Sequence, residues 1–252
     1  MAGSGSARRP LVAGNWKMHL DRQGALALVG SLLESGLAEC PEVVVLPSFP
    51  LLARVGEALA GSGVALGAQD LHPEPEGAHT GDVSAAQLVD AGCHWVICGH
   101  SERRRDHGET DDLVAAKARA ALAAGLAPIV CVGESRPERH AGQTFDVLAR
   151  QLAPLAWEPR LVIAYEPVWA IGTGESATAE TVGDVHAYIR SRVARTAGAT
   201  AAERLRILYG GSVTPESAPD LAGAGDVDGF LVGGASLDPE RFRAIIAAWS
   251  AR

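Results

Sequence analysis

Cysteine is scarce in this chain. Four residues, Cys40, Cys93, Cys98 and Cys131, are spread over 252 positions. They make no spaced framework, which excludes a disulfide-stapled scaffold and points to reduced thiols in a cytoplasmic setting. Positive charge is also short. Lysine and arginine number 22 against 30 aspartates and glutamates, a formal net charge of −8. A protein built for nucleic acid normally carries the opposite balance, so that partner class is set aside. An anionic small substrate stays open if its site is locally positive. No uninterrupted apolar run is long enough to span a membrane. Met1 to Pro10 is rich in Gly, Ser and Arg and has no apolar centre. It reads as a frayed tail (1–10), not a secretory signal. No linker, charge block or low-complexity insert divides the remainder, so 11–252 is expected to be one domain.

Hydrophobic residues make up 47% and charged residues 21%, enough for a sizeable core. Eight short apolar runs read as buried strands: Leu11 to Asn15, Glu42 to Leu46, Val64 to Ala68, Trp95 to Cys98, Pro128 to Val132, Leu161 to Ala164, Arg206 to Tyr209 and Gly229 to Val232. Helical spacing of apolar residues lies between them, over Asp21 to Leu37, Leu51 to Leu59, Asp111 to Ala124, Phe145 to Leu155, Thr178 to Ala197 and Arg241 to Trp249. Alternation of this kind predicts an α/β fold with a parallel sheet. Eight units in about 250 residues favour a single-domain closed (β/α)8 barrel over an open sheet. Gln69 to Val83 is a long polar connection with His72, His79 and Thr80, and is expected to serve a site or an interface.

In a parallel barrel, chemistry gathers at the C-terminal ends of strands. Those ends carry Asn15 and Lys17, then His100 to Arg104, then Glu166, then Gly210-Gly211-Ser212, then Gly233-Gly234. Glu166 follows its strand directly. Pro167 then fixes a backbone angle, and Gly172-Thr173-Gly174 supplies mobility, as a base under a closing lid requires. Lys17 is a cation, His100 an acid or electrophile, and the paired glycines suit backbone N–H contacts to phosphate. Ser101-Glu102 opens a helix, whose N-terminal partial charge should keep the His100 imidazole neutral. Each residue also has an ordinary reading: a surface lysine, a capping histidine, glycines for tight turns. Their convergence on one rim favours function. Cys93, His94, Cys98 and His100 lack the paired spacing of a zinc site, and Gly172-Thr173-Gly174 lacks the third glycine of a dinucleotide loop. No metal is expected.

Gly14 to Met18, Cys98 to Arg104, Tyr165 to Gly174, Tyr209 to Ser212 and Gly229 to Leu237 resemble the triosephosphate isomerase family, with similarity from Leu11 to Trp249. The resemblance implies interconversion of dihydroxyacetone phosphate and glyceraldehyde 3-phosphate without a cofactor, a step of glycolysis and gluconeogenesis. It makes Glu166 the base, His100 the group polarising the carbonyl and shuttling protons between the substrate oxygens, and Lys17 the cation facing the enediolate and the phosphate, with Asn15 adding a hydrogen bond. Backbone N–H groups of Gly172, Ser212, Gly233 and Gly234 would hold the phosphate. Glu102 and Cys131 would support these groups from behind. The Gln69 to Val83 loop resembles the family's dimer loop, with Thr80 reaching the other subunit near its Asn15 and Asp82 approaching Arg103 across the interface. The chain departs from the commoner pattern at Glu175-Ser176 in the lid, and at His79 and Asp82 in the dimer loop. His79 would make association pH-sensitive. Two other readings stand beside this one. The first is an isomerase of a phosphorylated four-carbon ketose or aldose in the same superfamily. The second is a barrel that only binds phosphate ligands or partner proteins.

Overall fold

The computed structural model describes residues 8–34, 37, 41–171 and 177–249. Eight strands run parallel in sequence order and close into a ring. They are β1 (Leu11–Asn15), β2 (Glu42–Leu46), β3 (Ala65–Ala68), β4 (Trp95–Cys98), β5 (Ala127–Val132), β6 (Val162–Tyr165), β7 (Arg206–Tyr209) and β8 (Gly229–Val232). Leu11 stands opposite both Glu42 of β2 and Gly229 of β8, which closes the sheet on itself.

The two-residue period of the strands divides the core into two layers. Leu11, Ala13, Val44, Leu46, Ile97, Ile129, Ala164, Leu208 and Leu231 fill the barrel. Val12, Val43, Val45, Val96, Val130, Ile163, Ile207 and Phe230 point outward and pack under the helices. Both faces are buried, so the strands read as continuous apolar runs rather than as alternating ones.

The predicted elements stand within a few residues of their expected bounds. The sixth strand ends at Tyr165, which leaves Glu166 as the first residue beyond it. The last helix starts at Pro239, because the Asp238 side chain accepts the N–H groups of Glu240 and Arg241. Four further helices were not read from the sequence: Ala85–Asp90, Arg136–His140, Ala199–Arg204 and Ala218–Gly223. Each has only five or six residues, too short for a 3.6-residue period to show.

The N-terminal end of the barrel is fastened by charge. Asp228 accepts from Arg8 Nε at 2.6 Å, Arg190 Nη2 at 2.7 Å and the Ile207 N–H at 2.9 Å. Arg190 also pairs with Asp226. Arg8 falls in the expected tail, yet here it belongs to this clasp, and Pro10 accepts the Glu42 N–H. Residues 1–7 lie outside the described residues.

The seam between β1 and β8 demands glycine at 229. A Cβ there would stand 1.8 Å from the Leu11 carbonyl oxygen, and φ is +149°. The Gly229→Ala variant is therefore expected to lose about 3 kcal/mol of unfolding free energy, measured by denaturant titration. A loss within experimental error would show that the seam yields without cost.

Candidate active site

Glu166 is the first residue after β6; the residue is 2% exposed, and its backbone N–H donates to Val132 O. Room for it comes from two neighbouring strand ends. A Cβ at Gly133 would lie 1.8 Å from the Glu166 carbonyl oxygen, and one at Gly210 would lie 2.9 Å from its Cγ. The carboxylate reaches the end of β4. Oε2 accepts the Ser101 N–H at 2.9 Å, and Oε1 lies 3.0 Å from His100 Nε2.

His100 caps the helix Ser101–His107, and its Nδ1 accepts the Glu102 N–H at 3.2 Å. That contact places the neutral tautomer's proton on Nε2, the nitrogen that faces Glu166. The charge balance differs from the expectation of a depressed imidazole. Burial lowers the His100 pKa, but the Glu166 carboxylate beside it outweighs burial and holds it above the usual value. The helix terminus belongs to a seven-residue helix, whereas the carboxylate is in direct contact. Burial likewise raises Glu166, but His100, the Ser101 N–H and Lys17 together bring it below the usual carboxylate value.

Lys17 leaves β1 in a left-handed backbone conformation, φ +53°. Its N–H donates to Asn15 Oδ1 at 3.0 Å. Gln69, just past β3, donates from Nε2 to both Lys17 O and Leu46 O, each at 2.8 Å. Lys17 Nζ then meets Glu102 Oε1 at 2.6 Å. Asn15, Lys17, His100, Glu166, Ser212, Gly233 and Gly234 line one cavity of about 400 Å³, with Arg105 and Arg241 at its wall. Lys17 Cε would lie 3.5 Å from a Cβ at Gly233, so the cation and the Gly233-Gly234 turn are neighbours.

Cys131 sits behind Glu166. Burial pushes its thiol well up, and the Glu166 charge adds to this. Burial also pushes Cys93 up to about 12 and raises Cys98, so these are protonated thiols rather than ready metal ligands. Gly172, and the rest of 172–176 in the lid, lie outside the described residues. Thr80 and Asp82 are exposed on the long loop and do not line this cavity. Arg103 is engaged within its own chain, by Glu109 at 2.6 Å and Asp70 at 2.9 Å.

Sequence reasoning missed Gln69 and Glu134. Glu134 is fully buried and accepts from Trp169 Nε1 at 2.9 Å and from the Tyr165 hydroxyl, while its carbonyl receives the Val168 N–H. It therefore anchors the short helical turn Val168–Ala170 that follows Glu166. Both residues stand just beyond a strand end, so extending the strand-end reading to β3 and β5 would have found them.

Fold and site together define a protein of the (β/α)8 barrel class, with a buried carboxylate, an imidazole and an ammonium converging on one cavity at the strand ends. The family model described as triosephosphate isomerase matches residues 10–249. Proteins named triosephosphate isomerase resemble the chain closely. The one from Alkalilimnicola ehrlichii is 51% identical over 250 residues, covering 96% of this chain and 98% of that protein. Those from a Chelativorans species and from Chloroflexus aurantiacus are 50% and 49% identical, each over 247 residues, covering 95% of this chain and 96% and 98% of theirs. The chain belongs to the triosephosphate isomerase family.

The coupling of His100 to Glu166 has a signed test. Replacing Glu166 by Gln removes the charge that raises the imidazole and leaves the burial that lowers it. The His100 titration, followed by nitrogen-15 NMR, should therefore move to lower pH in Glu166→Gln. An unchanged midpoint would mean that the carboxylate does not set it.

Proposed function

We propose that Glu166, His100 and Lys17 interconvert dihydroxyacetone phosphate and D-glyceraldehyde 3-phosphate through an enediolate. The chain is a triose-phosphate isomerase, an intramolecular aldose–ketose isomerase, on its family membership and the names of its relatives. The residue roles rest on one observation: a buried carboxylate, an imidazole Nε2 and an ammonium share a cavity with the Ser212 and Gly233-Gly234 turns.

The steps follow from that arrangement. Glu166 removes a proton from the carbon beside the carbonyl and returns it to the neighbouring carbon. Negative charge then develops on the substrate oxygens. His100 Nε2–H and Lys17 Nζ supply fixed positive dipole and charge there, and Asn15 adds a hydrogen bond. Substrate must come between Glu166 and His100, so binding breaks their 3.0 Å contact. Separated from the carboxylate, the buried imidazole favours its neutral form, polarises the carbonyl through Nε2–H and relays the hydroxyl proton from one substrate oxygen to the other, which balances the proton moved between carbons. Gly234 opens a short helical turn, Gly234–Leu237, whose first N–H groups lack internal acceptors and suit a phosphate. Lys17, Arg105 and Arg241 bring three cations to the cavity wall of a chain of net charge −8, against the two carboxylates of Glu102 and Glu166. Gly172 would complete the phosphate grip when the lid closes, excluding water from the intermediate.

The same reading gives a cytoplasmic homodimer joined by the Gln69 to Val83 loop. Thr80 would meet the partner near its active site, and Asp82 would face Arg103 across the interface. No helix among the described residues is long and apolar enough to cross a membrane.

A coupled assay with glyceraldehyde 3-phosphate should show turnover approaching the diffusional ceiling, on the order of 10⁸ M⁻¹s⁻¹. Four-carbon sugar phosphates should turn over far more slowly; the reverse ranking would transfer the assignment to the four-carbon isomerases. Glu166→Gln should cut kcat by roughly 10³-fold while a phosphate-bearing inhibitor still binds. Equal loss of binding and turnover would remove Glu166 from the role of base. Sedimentation equilibrium should give twice the 26.1 kDa chain mass, and a monomer at micromolar concentration would end the dimer reading.

A further inference from the structure

The ladder between β4 and β5 runs out just before the site. Its last pair is Cys98 against Val130. One step further the register would set Gly99 against Cys131, but Gly99 bends away at φ +68° and leaves the strand. A single side chain closes this gap. Arg104 Nε donates to Gly99 O at 2.9 Å and Nη2 to Cys131 O at 3.1 Å, while Nη1 meets Asp111 Oδ1 at 2.7 Å. Arg104 stands one turn into the helix that His100 caps, and its backbone N–H donates to His100 O at 3.1 Å. The guanidinium therefore folds back to the carbonyl that immediately precedes His100. Both ends of the bridge lead to the contact between His100 and Glu166. On one side, Gly99 O belongs to the peptide bond that enters His100. On the other, Cys131 stands opposite Ala164 in the register of β5 and β6, and the next carbonyl, Val132 O, accepts the Glu166 N–H.

We propose that Arg104 is a positioning residue for the isomerase reaction: by bridging Gly99 O and Cys131 O it fixes the placement of His100 relative to Glu166. The inference rests on the roles proposed above for that pair. Proton transfer depends on placement, and a shift of about an ångström can cost on the order of a hundredfold in rate. A backbone ladder would normally hold two neighbouring strands in register, and here it has ended. The planar guanidinium takes its place, because its fork aims three nitrogens in fixed directions at three acceptors. Lysine carries the same charge on one nitrogen and cannot reproduce the bridge. Arg104 does not line the catalytic cavity, so it acts through the backbone and not on the substrate. The Ser212 and Gly233-Gly234 turns follow β7 and β8, strands that the bridge does not touch. Arg104 thus bears on turnover and leaves binding of the substrate phosphate nearly unchanged.

The test compares Arg104→Lys and Arg104→Met with wild type and Glu166→Gln in the full-length protein, with folding checked by denaturant titration. Arg104→Lys, the gentler change, carries the decision. It should lose at least about tenfold in kcat, with KM for glyceraldehyde 3-phosphate changed by less than about twofold, and Arg104→Met should lose more. The His100 midpoint, followed by nitrogen-15 NMR, should move to lower pH in Arg104→Lys, because burial lowers it and the Glu166 contact that raises it is loosened. A loss of overall stability alone would leave the midpoint of the folded protein in place. Arg150→Gln removes an exposed cation that also pairs with Asp111, at 3.2 Å, without touching the bridge, and should keep the wild-type kcat. A folded Arg104→Lys with kcat within about twofold of wild type, or with reduced kcat and an unmoved His100 midpoint, would overturn the role. Glu166→Gln separates this inference from the reading beneath it. If that variant loses turnover while Arg104→Lys does not, only the bridge is wrong; if Glu166→Gln stays active, the roles of the pair fall and the bridge with them.

Discussion

A charged carboxylate out of reach of bulk water is the constraint around which this barrel is arranged. Burying an ion without partners is costly, and the usual escape is to neutralise it. Glu166 avoids that because the fold supplies an N–H from Ser101, a ring nitrogen from His100 and the nearby Lys17 charge. None of these sits near Glu166 in the chain. They converge because β1, β4 and β6 end on the same rim. Gly133 and Gly210, at the ends of the flanking strands, leave out the side chains that would occupy the space it needs.

The surroundings hold these groups through further polar contacts that carry no chemistry of their own. Gln151 clamps Gly133 by both its N–H and its carbonyl. Arg104 binds Gly99 O and Cys131 O, tying the end of β4 to that of β5. Gln69 fastens the strained turn at Lys17 to β2. Next to it, Lys117 is buried between Asp70 at 2.6 Å and Glu109 at 2.5 Å, with Arg103 on both acids. Two cations and two anions make that cluster electrically neutral. Even so, burial raises Asp70 while Lys117 and Arg103 hold Glu109 below its usual value against its own burial. Such networks cost more if one member is removed than they gain as a whole. They therefore fix the geometry of the β3 and β4 ends more than they add stability.

Much of this was legible before any coordinates. The eight apolar runs, the crossing helices and the strand-end positions of Asn15, Lys17, His100, Glu166, Ser212 and Gly233 all follow from periodicity and a rule about parallel barrels. The short helices were hidden because five or six residues show no period. Gln69 and Glu134 were hidden because an amide and a carboxylate beyond a strand look like ordinary loop residues until their partners, Lys17 O and Trp169 Nε1, are brought to them.

The sequence by itself determined the alternation of strand and helix, the count of eight, and the residue types available at each strand end, because these depend on neighbours one to four positions apart. Only the tertiary structure decided which of those residues touch. His100 illustrates the difference. Its place at a helix start argued for a depressed pKa, yet the folded chain sets a carboxylate from 66 positions later against its Nε2 and reverses the direction. Electrostatic interaction is governed by distance in space and by burial, and both are settled only when the ring of strands closes.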